Sequence, residues 1–266
     1  MEKDFRIGAE IQILAKLNTS FQLLQSMKIF VINLDRDEER LKFAQEQAEK
    51  NGFSFERVAG VFAKEMSASE LKKDVNYLRF TLRMGKRPGL GEIGCALSHI
   101  KIYRKMVEEN LPYACILEDD IFILDNFKEQ LEKIGKWFDP KKPTVVRLNM
   151  PVETDKTNEP VIRDHIAYSA CSYCLNLAAA KALLKDNFPV HTFADDWPTW
   201  NKLKIIELYN SNPKVCWHNN AASGFNSTIV GINREENGWG KEYSVRRKIL
   251  KGLSLIYESL YSKLHH

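Results

Sequence analysis

The stretch Lys28-Ile-Phe-Val-Ile-Asn-Leu34, followed at once by Asp35-Arg-Asp-Glu-Glu-Arg40, decides the fold class. A short continuous apolar run ended by charged residues fits a strand buried on both faces, the kind that lies inside a parallel sheet. Asp37 stands where it can cap a helix running to about Lys50, and Asn51-Gly52 supplies the stop. Phe53–Ala59 then alternates as a second strand. Strand, helix and strand in this order form a right-handed βαβ unit. The expectation is an α/β protein with a mostly parallel, Rossmann-like sheet flanked by helices.

Periodicity extends this reading in both directions. Ile7, Ile11, Leu14, Leu17, Phe21 and Leu24 fall at helical spacing, so residues 1–26 read as an amphipathic N-terminal helical extension. Residues 64–90 are polar, carry Arg79, Arg83, Lys86 and Arg87, and contain Pro88-Gly89. They read as a loop-rich insertion, either beside a site or simply solvated. A helix is expected from Gly91 to about Asn110, with Ile93, Leu97, Ile100, Tyr103 and Val107 as its core stripe and Leu111-Pro112 as its end. Tyr113–Leu117, Thr144–Leu148 and Ala167–Leu175 read as strands, and Ala178–Leu184 as a helix. With no internal repeat or clear linker, residues 27–240 read as a single domain, and 241–266 as a separate C-terminal helix.

Composition bounds the class. The 266 residues are 44% hydrophobic and 28% charged, which suits a globular protein with ample core. The formal net charge of +4 is confined to one segment: between Lys241 and His266 six basic residues face two acidic ones, and the remainder balances. A nucleic-acid binder with a broad basic face is therefore not expected. No apolar run approaches the roughly 20 residues needed to span a bilayer. The chain opens without a signal-peptide pattern, and five cysteines suit a reducing compartment, so a cytoplasmic protein is expected. Cys171-Ser-Tyr-Cys174 has the look of a redox or zinc pair, but residues three apart on a strand point to opposite faces. No second pair at zinc spacing accompanies it, so it reads as structural.

The chemistry centres on Glu118-Asp119-Asp120, directly after an apolar strand. Open α/β sheets bind ligands at the carboxyl ends of their strands. Three adjacent carboxylates repel one another, and a divalent cation or a basic partner is the usual relief. Mg²⁺ or Mn²⁺ takes carboxylate oxygens and leaves positions open for substrate phosphates. The alternative is a solvated acidic turn. Neither a G-x-x-x-x-G-K-[ST] loop nor a G-x-G-x-x-G turn occurs, which argues against P-loop and dinucleotide sites and leaves nucleotide-sugar or nucleotidyl chemistry. A second cluster, Asp195-Asp196 within His191-Thr-Phe-Ala-Asp-Asp-Trp-Pro-Thr-Trp200, offers a base for an acceptor hydroxyl, with Trp197 as a sugar platform. The alternative there is a helix N-cap with Trp197 and Trp200 in the core.

The segments FVINLDRDEER, RVAG, GEIGCALSH and CILEDD occur in the order and spacing that mark glycosyltransferase family 25. The chain resembles that family closely over 27–125 and more loosely to about 230. The resemblance implies a single GT-A-like nucleotide-sugar-binding domain and an inverting hexosyltransferase, often using UDP-galactose; bacterial members build lipopolysaccharide or lipooligosaccharide. It implies Asp120 as a ligand of Mn²⁺ or Mg²⁺, Asp119 or Glu118 at the sugar or ribose, and Asn33 to Arg40, Asp35 included, along the nucleotide. Ser98 and His99 fall on the family's helix, His99 either as a substrate contact or as a buried, hydrogen-bonded histidine. His218 is a late candidate for a metal or diphosphate ligand.

Two other readings compete: a catalytically silent sugar-nucleotide or glycan-binding protein on the same fold, and a nucleotidyltransferase. In residues 241–266, Val245, Ile249, Leu253, Ile256, Leu260 and Leu264 form one apolar face beside Arg246, Arg247, Lys248 and Lys251. That pattern suits a helix lying on an anionic membrane or one packed on the body. With a lipid-linked oligosaccharide acceptor, the expected place is the cytoplasmic face of the inner membrane.

Overall fold

The computed structural model describes residues 27–150, 159–164, 168–217 and 252–253. The proposed helix at 1–26 and His218 lie outside the described residues, and so does the proposed helix at 241–266 except for Gly252 and Leu253, which are helical.

The opening βαβ unit forms as the sequence predicts. β1 (Lys28–Asn33) leads into α1 (Glu38–Lys50), and β2 (Glu56–Ala59) returns parallel to β1. Gly52 takes a left-handed φ of 64°, the conformation that a helix stop favours in glycine. Asp37 occupies the N-cap position but its side chain makes no capping bond. Its backbone is used instead: its N–H donates to the Leu34 carbonyl, and its carbonyl accepts from Asn33 Nδ2.

Residues 64–90 differ from the expected loop. α2 (Ala68–Asp74) starts on a capping box, with Ser67 Oγ accepting from the Glu70 amide and Glu70 Oε2 accepting from the Ser67 amide. α3 (Tyr77–Met84) is capped by Asn76 and ends on Gly85. Val75 and Phe80 are buried, and so is Arg79, so the charges read as solvent-facing partly line the interior. Polarity masked α3 because its arginines find carboxylate partners far along the chain, and α2 because it buries no residue.

After them come α4 (Leu90–Glu108), β3 (Tyr113–Glu118), β4 (Phe122–Ile123), α5 (Phe127–Trp137), β5 (Thr144–Arg147) and β6 (Val161–Arg163). The order continues with β7 (Ser172–Asn176), α6 (Leu177–Asn187), α7 (Trp197–Lys202), β8 (Glu207–Ser211) and β9 (Cys216–Trp217). Among the described residues, seven strands form one sheet in the order β2-β1-β3-β7-β5-β8-β6. β1, β2, β3, β5 and β8 share one direction, while β7 and β6 run antiparallel to their neighbours. The sheet is thus mostly parallel in direction but mixed in its pairings.

Alternate residues of the strands feed two cores. Phe30, Ile116, Tyr173 and Leu175 face α4, α6 and α7, whereas Ile29, Val31, Cys115 and Cys174 face α1 and α5. Helices therefore cover both sides, as burial of a parallel-type sheet requires. Cys171 and Cys174 do not point apart as expected: both belong to the α1/α5 side. Cys171 precedes β7, so the period-two rule does not reach it. All five cysteines are free thiols.

Candidate active site

Antiparallel β7 enters the sheet beside the exit of β3. This brings residues 169–172 to the same edge as Glu118-Asp119-Asp120, and the Glu118 amide donates to the Cys171 carbonyl at 2.8 Å. The ends of β1, at Asn33, and β5, at Arg147, lie at that edge too.

The acidic triplet does not act as one cluster. Glu118 continues the register that faces α4, while Asp119 turns toward β1 and α1. Asn33 Nδ2 donates to Asp119 Oδ2 at 2.8 Å, and Arg40 Nη1 donates to Asp119 Oδ1 at 2.9 Å while lying 3.2 Å from Asp120. Asp119, Asp120 and Asn33 are all buried. Arg40 thus sets a basic partner between Asp119 and Asp120 and relieves their mutual repulsion. Burial pushes the Asp119 carboxyl above its ordinary range and Asn33 and Arg40 oppose that shift, while Asp120 adds to it. Burial also works against the Arg40 charge, but Asp120 and Asp119 outweigh it and raise its pKa. Asn33 is held in turn by Arg57, whose Nε donates to Asn33 Oδ1 at 2.9 Å. Asp35 pairs with the same arginine at 2.5 Å but is largely exposed, outside the buried set.

The GEIGCALSH segment builds α4 against this edge, each polar residue with a distinct task. Glu92 caps the helix by accepting from the Gly89 amide at 2.8 Å and pairs with Lys86. Gly94 permits close approach: a Cβ there would lie 2.4 Å from the Val61 carbonyl oxygen. Ser98 Oγ donates to the Gly94 carbonyl and accepts from the Val61 amide at 2.8 Å, so its hydroxyl ties α4 to the loop after β2. His99 is buried, with Nδ1 2.7 Å from the Tyr173 hydroxyl, which is 2.8 Å from that of Tyr103. Burial lowers the His99 pKa to about 3 and keeps the ring neutral. Cys95, one turn before His99, faces Glu118; a ligand atom from each of the three lies within 4.8 Å of the others. Burial and the charges of Glu118, Asp195 and Glu92 push the Cys95 thiol well above its ordinary pKa.

Asp195 and Asp196 separate sharply. Asp196 is buried and accepts from Arg83 Nε at 2.9 Å and Thr192 Oγ1 at 2.6 Å. Arg83 also meets His191 Nε2 at 3.0 Å and Asp186, which accepts from Trp200 Nε1. Burial and the two neighbouring arginines hold His191 neutral. Asp195 is only half-buried and accepts the Ser169 amide at 3.0 Å. Ser169 has a φ of 100°, costly for a non-glycine residue, and its carbonyl is fixed by Trp197 Nε1 at 2.9 Å. Trp197 is wholly buried against Tyr173 and Trp200, so the core alternative holds and it offers no sugar platform.

Sequence reasoning missed Cys95, Tyr173, Ser169, Arg57 and Arg147. Arg147, fully buried at the end of β5, donates to Asn210 Oδ1 and the Tyr168 carbonyl and pairs with Asp164; burial lowers its pKa to about 10. Only Cys95 left a readable signal, the i, i+4 spacing to His99 that puts both on one helix face.

Residues 26–197 match the family model described as glycosyltransferase family 25 (LPS biosynthesis protein). A putative glycosyltransferase of Haemophilus influenzae is 35% identical over 211 residues, covering 70% of this chain and 68% of that one. The lipooligosaccharide biosynthesis protein lex-1 of the same organism is 29% identical, covering 62% and 59% respectively. The procollagen lysyl hydroxylase and glycosyltransferase of Acanthamoeba polyphaga mimivirus is 30% identical over 60% of this chain, which spans only 20% of that protein. Among solved structures, a glycosyltransferase involved in glycosylation of the major capsid of PBCV-1 aligns over 59% of this chain and 63% of its own. Its TM-score is 0.28 and its identity 11%. Among the described residues, no helix is long and apolar enough to cross a membrane.

Proposed function

Because the chain belongs to glycosyltransferase family 25, we propose that it transfers a hexose, with galactose favoured, from a UDP-sugar to a lipopolysaccharide or lipooligosaccharide glycan with inversion. The observation that carries this reading is the buried Asp119/Asp120 pair at the carboxyl end of β3, tied through Asn33 to the end of β1 and through Arg40 to the first turn of α1. That is where an open α/β sheet receives a ligand.

Two buried carboxylates with oxygen donors suit a hard cation that takes one or two protein carboxylates and completes its shell with substrate phosphates. Asp120 would hold Mn²⁺ or Mg²⁺, with His218 as a further ligand. When bound, such a cation neutralises charge developing on the leaving diphosphate. Arg40, already between the two carboxylates, adds a fixed positive charge beside them. Asn33 and Asp35 line the nucleotide, and of Asp119 and Glu118 it is Asp119, bonded to Asn33 and Arg40, that meets the ribose or sugar. Ser98 and His99 act by holding the loop after β2 and the Tyr173 hydroxyl.

Asp195 is the base. It takes the acceptor hydroxyl proton as that oxygen bonds to the anomeric carbon and the bond to the diphosphate breaks. Asp196 is less suited, because Oδ2 already accepts from both Arg83 and Thr192. Residues 241–266 bring the enzyme to anionic lipid on the cytoplasmic side, near a lipid-linked acceptor.

The deciding experiment offers UDP-Gal, UDP-Glc and UDP-GlcNAc with a lipooligosaccharide acceptor, following UDP release and the anomeric configuration of the product by NMR. Inverted product from UDP-Gal is expected. A retained configuration, or no turnover with any UDP-sugar, overturns the proposal.

A further inference from the structure

Cys95, His99 and Glu118 share no side chain with the Arg40–Asp119 pair: two of them rise from α4, and Arg40 comes from α1 across the sheet. Their three ligand atoms, one sulfur, one imidazole nitrogen and one carboxylate oxygen, lie within 4.8 Å of one another. Asp119 and Asp120 offer oxygen alone and suit a hard cation, whereas a mixed sulfur, nitrogen and oxygen set suits a borderline one such as Zn²⁺.

Two further observations point the same way. With His99 Nδ1 engaged by the Tyr173 hydroxyl at 2.7 Å, Nε2 is the nitrogen left for a metal. The Tyr103 hydroxyl extends that chain, and the Tyr173 and His99 rings stack. An outer hydrogen bond that fixes the orientation of a ligating imidazole is the usual companion of a histidine–metal bond. The charges acting on the Cys95 thiol are those of Glu118, Asp195 and Glu92, all negative, a field that favours a cation.

We propose that Cys95, His99 and Glu118 bind one Zn²⁺-type cation, clamping the first turns of α4 to the end of β3. Binding deprotonates Cys95, whose proton passes to solvent, and three protein ligands leave one coordination position open. The site is separate from the hard-cation role of Asp120 and does not depend on the sugar-transfer reading.

The test is a Co²⁺ titration of the full chain after chelator treatment. One equivalent should produce a thiolate-to-Co²⁺ charge-transfer band that Zn²⁺ displaces. Cys95→Ser should lose the band, and Tyr173→Phe should keep it while binding about tenfold more weakly. Asp120→Ala should leave it unchanged; loss there would put the cation at the acidic pair and overturn the assignment. Absence of the band at one equivalent overturns it too, as does a band that survives in Cys95→Ser, which would belong to the other thiols. If Cys95→Ser fails to fold, X-ray absorption of the Zn²⁺-loaded wild type decides: one sulfur neighbour supports the site, and none or several overturn it. None of these readouts uses UDP-sugar turnover, so failure of the proposed reaction would leave them intact.

Discussion

Arg83 Nε donates to Asp196 Oδ2 at 2.9 Å, and both side chains are almost sealed from water. This bond makes a structural member of one of two adjacent aspartates and leaves the other half-buried beside the strained Ser169. The helix N-terminus at α7 explains the location of the pair. The difference between its members comes from α3, more than 100 residues earlier in the chain.

Substitution should therefore split the two. Asp196→Ala removes one of the two carboxylates that hold the buried Arg83 guanidinium and leaves Asp186, so a loss of about 1.5–3 kcal/mol is expected. Urea unfolding should show that loss. Asp195→Asn should unfold within about 1 kcal/mol of wild type while turnover falls roughly 10²- to 10⁴-fold, the usual range for a general base. Full activity in Asp195→Asn would remove it from the reaction.

At the acidic pair, Asp120→Ala should abolish sugar transfer, and chelation should do the same reversibly, with Mn²⁺ or Mg²⁺ restoring it. Arg40→Met should raise the dissociation constant for UDP in calorimetry, because two buried carboxylates then repel the diphosphate without a compensating charge. Tighter UDP binding in Arg40→Met would show that the arginine blocks the site rather than serving it.

Gly94→Ala tests the close approach of α4 to the loop after β2. The added Cβ meets a backbone carbonyl, which cannot rotate away, so a loss of about 1–3 kcal/mol is expected on thermal or urea unfolding. Gly52→Ala is a control with open space around it, whose cost should come from its left-handed φ alone.

Acid should weaken the protein through its buried histidines. The unfolded chain protonates His99 near pH 6.5, whereas the folded protein holds it neutral down to about pH 3. Between those values the unfolded state binds more protons, so stability falls as pH falls. From pH 7 to 5 this one ring accounts for about 2 kcal/mol. His191, also held below its ordinary pKa, acts in the same direction. Urea midpoints at pH 7 and 5 measure the sum, and NMR should show a His99 ring that does not titrate near pH 6.5.

Removing residues 241–266 should abolish sedimentation with phosphatidylserine-containing liposomes without altering UDP binding. Equal sedimentation of full-length and shortened chains would separate the basic tail from any membrane role.

The sequence determined by itself the opening βαβ unit, the strand that ends at the acidic triplet, and the family motifs. Each is a short-range pattern: an apolar run, a glycine stop, carboxylates following a strand. The exits of β1 and β3 were therefore legible in the sequence as a candidate site. Tertiary structure alone decided the rest. Asp119 meets Asn33 across 86 positions, Arg83 meets Asp196 across 113, and Tyr173 reaches His99 across 74. Whether a carboxylate is a ligand, a base or a strut depends on which partner the packed sheet delivers to it. Residues 64–90 read as a loop-rich insertion, beside a site or solvated, because buried arginines and exposed ones read alike in sequence. Their partners, Asp186 and Asp196, come from the far end of the fold, and only packing the chain into layers brings opposite charges close enough to make burial favourable.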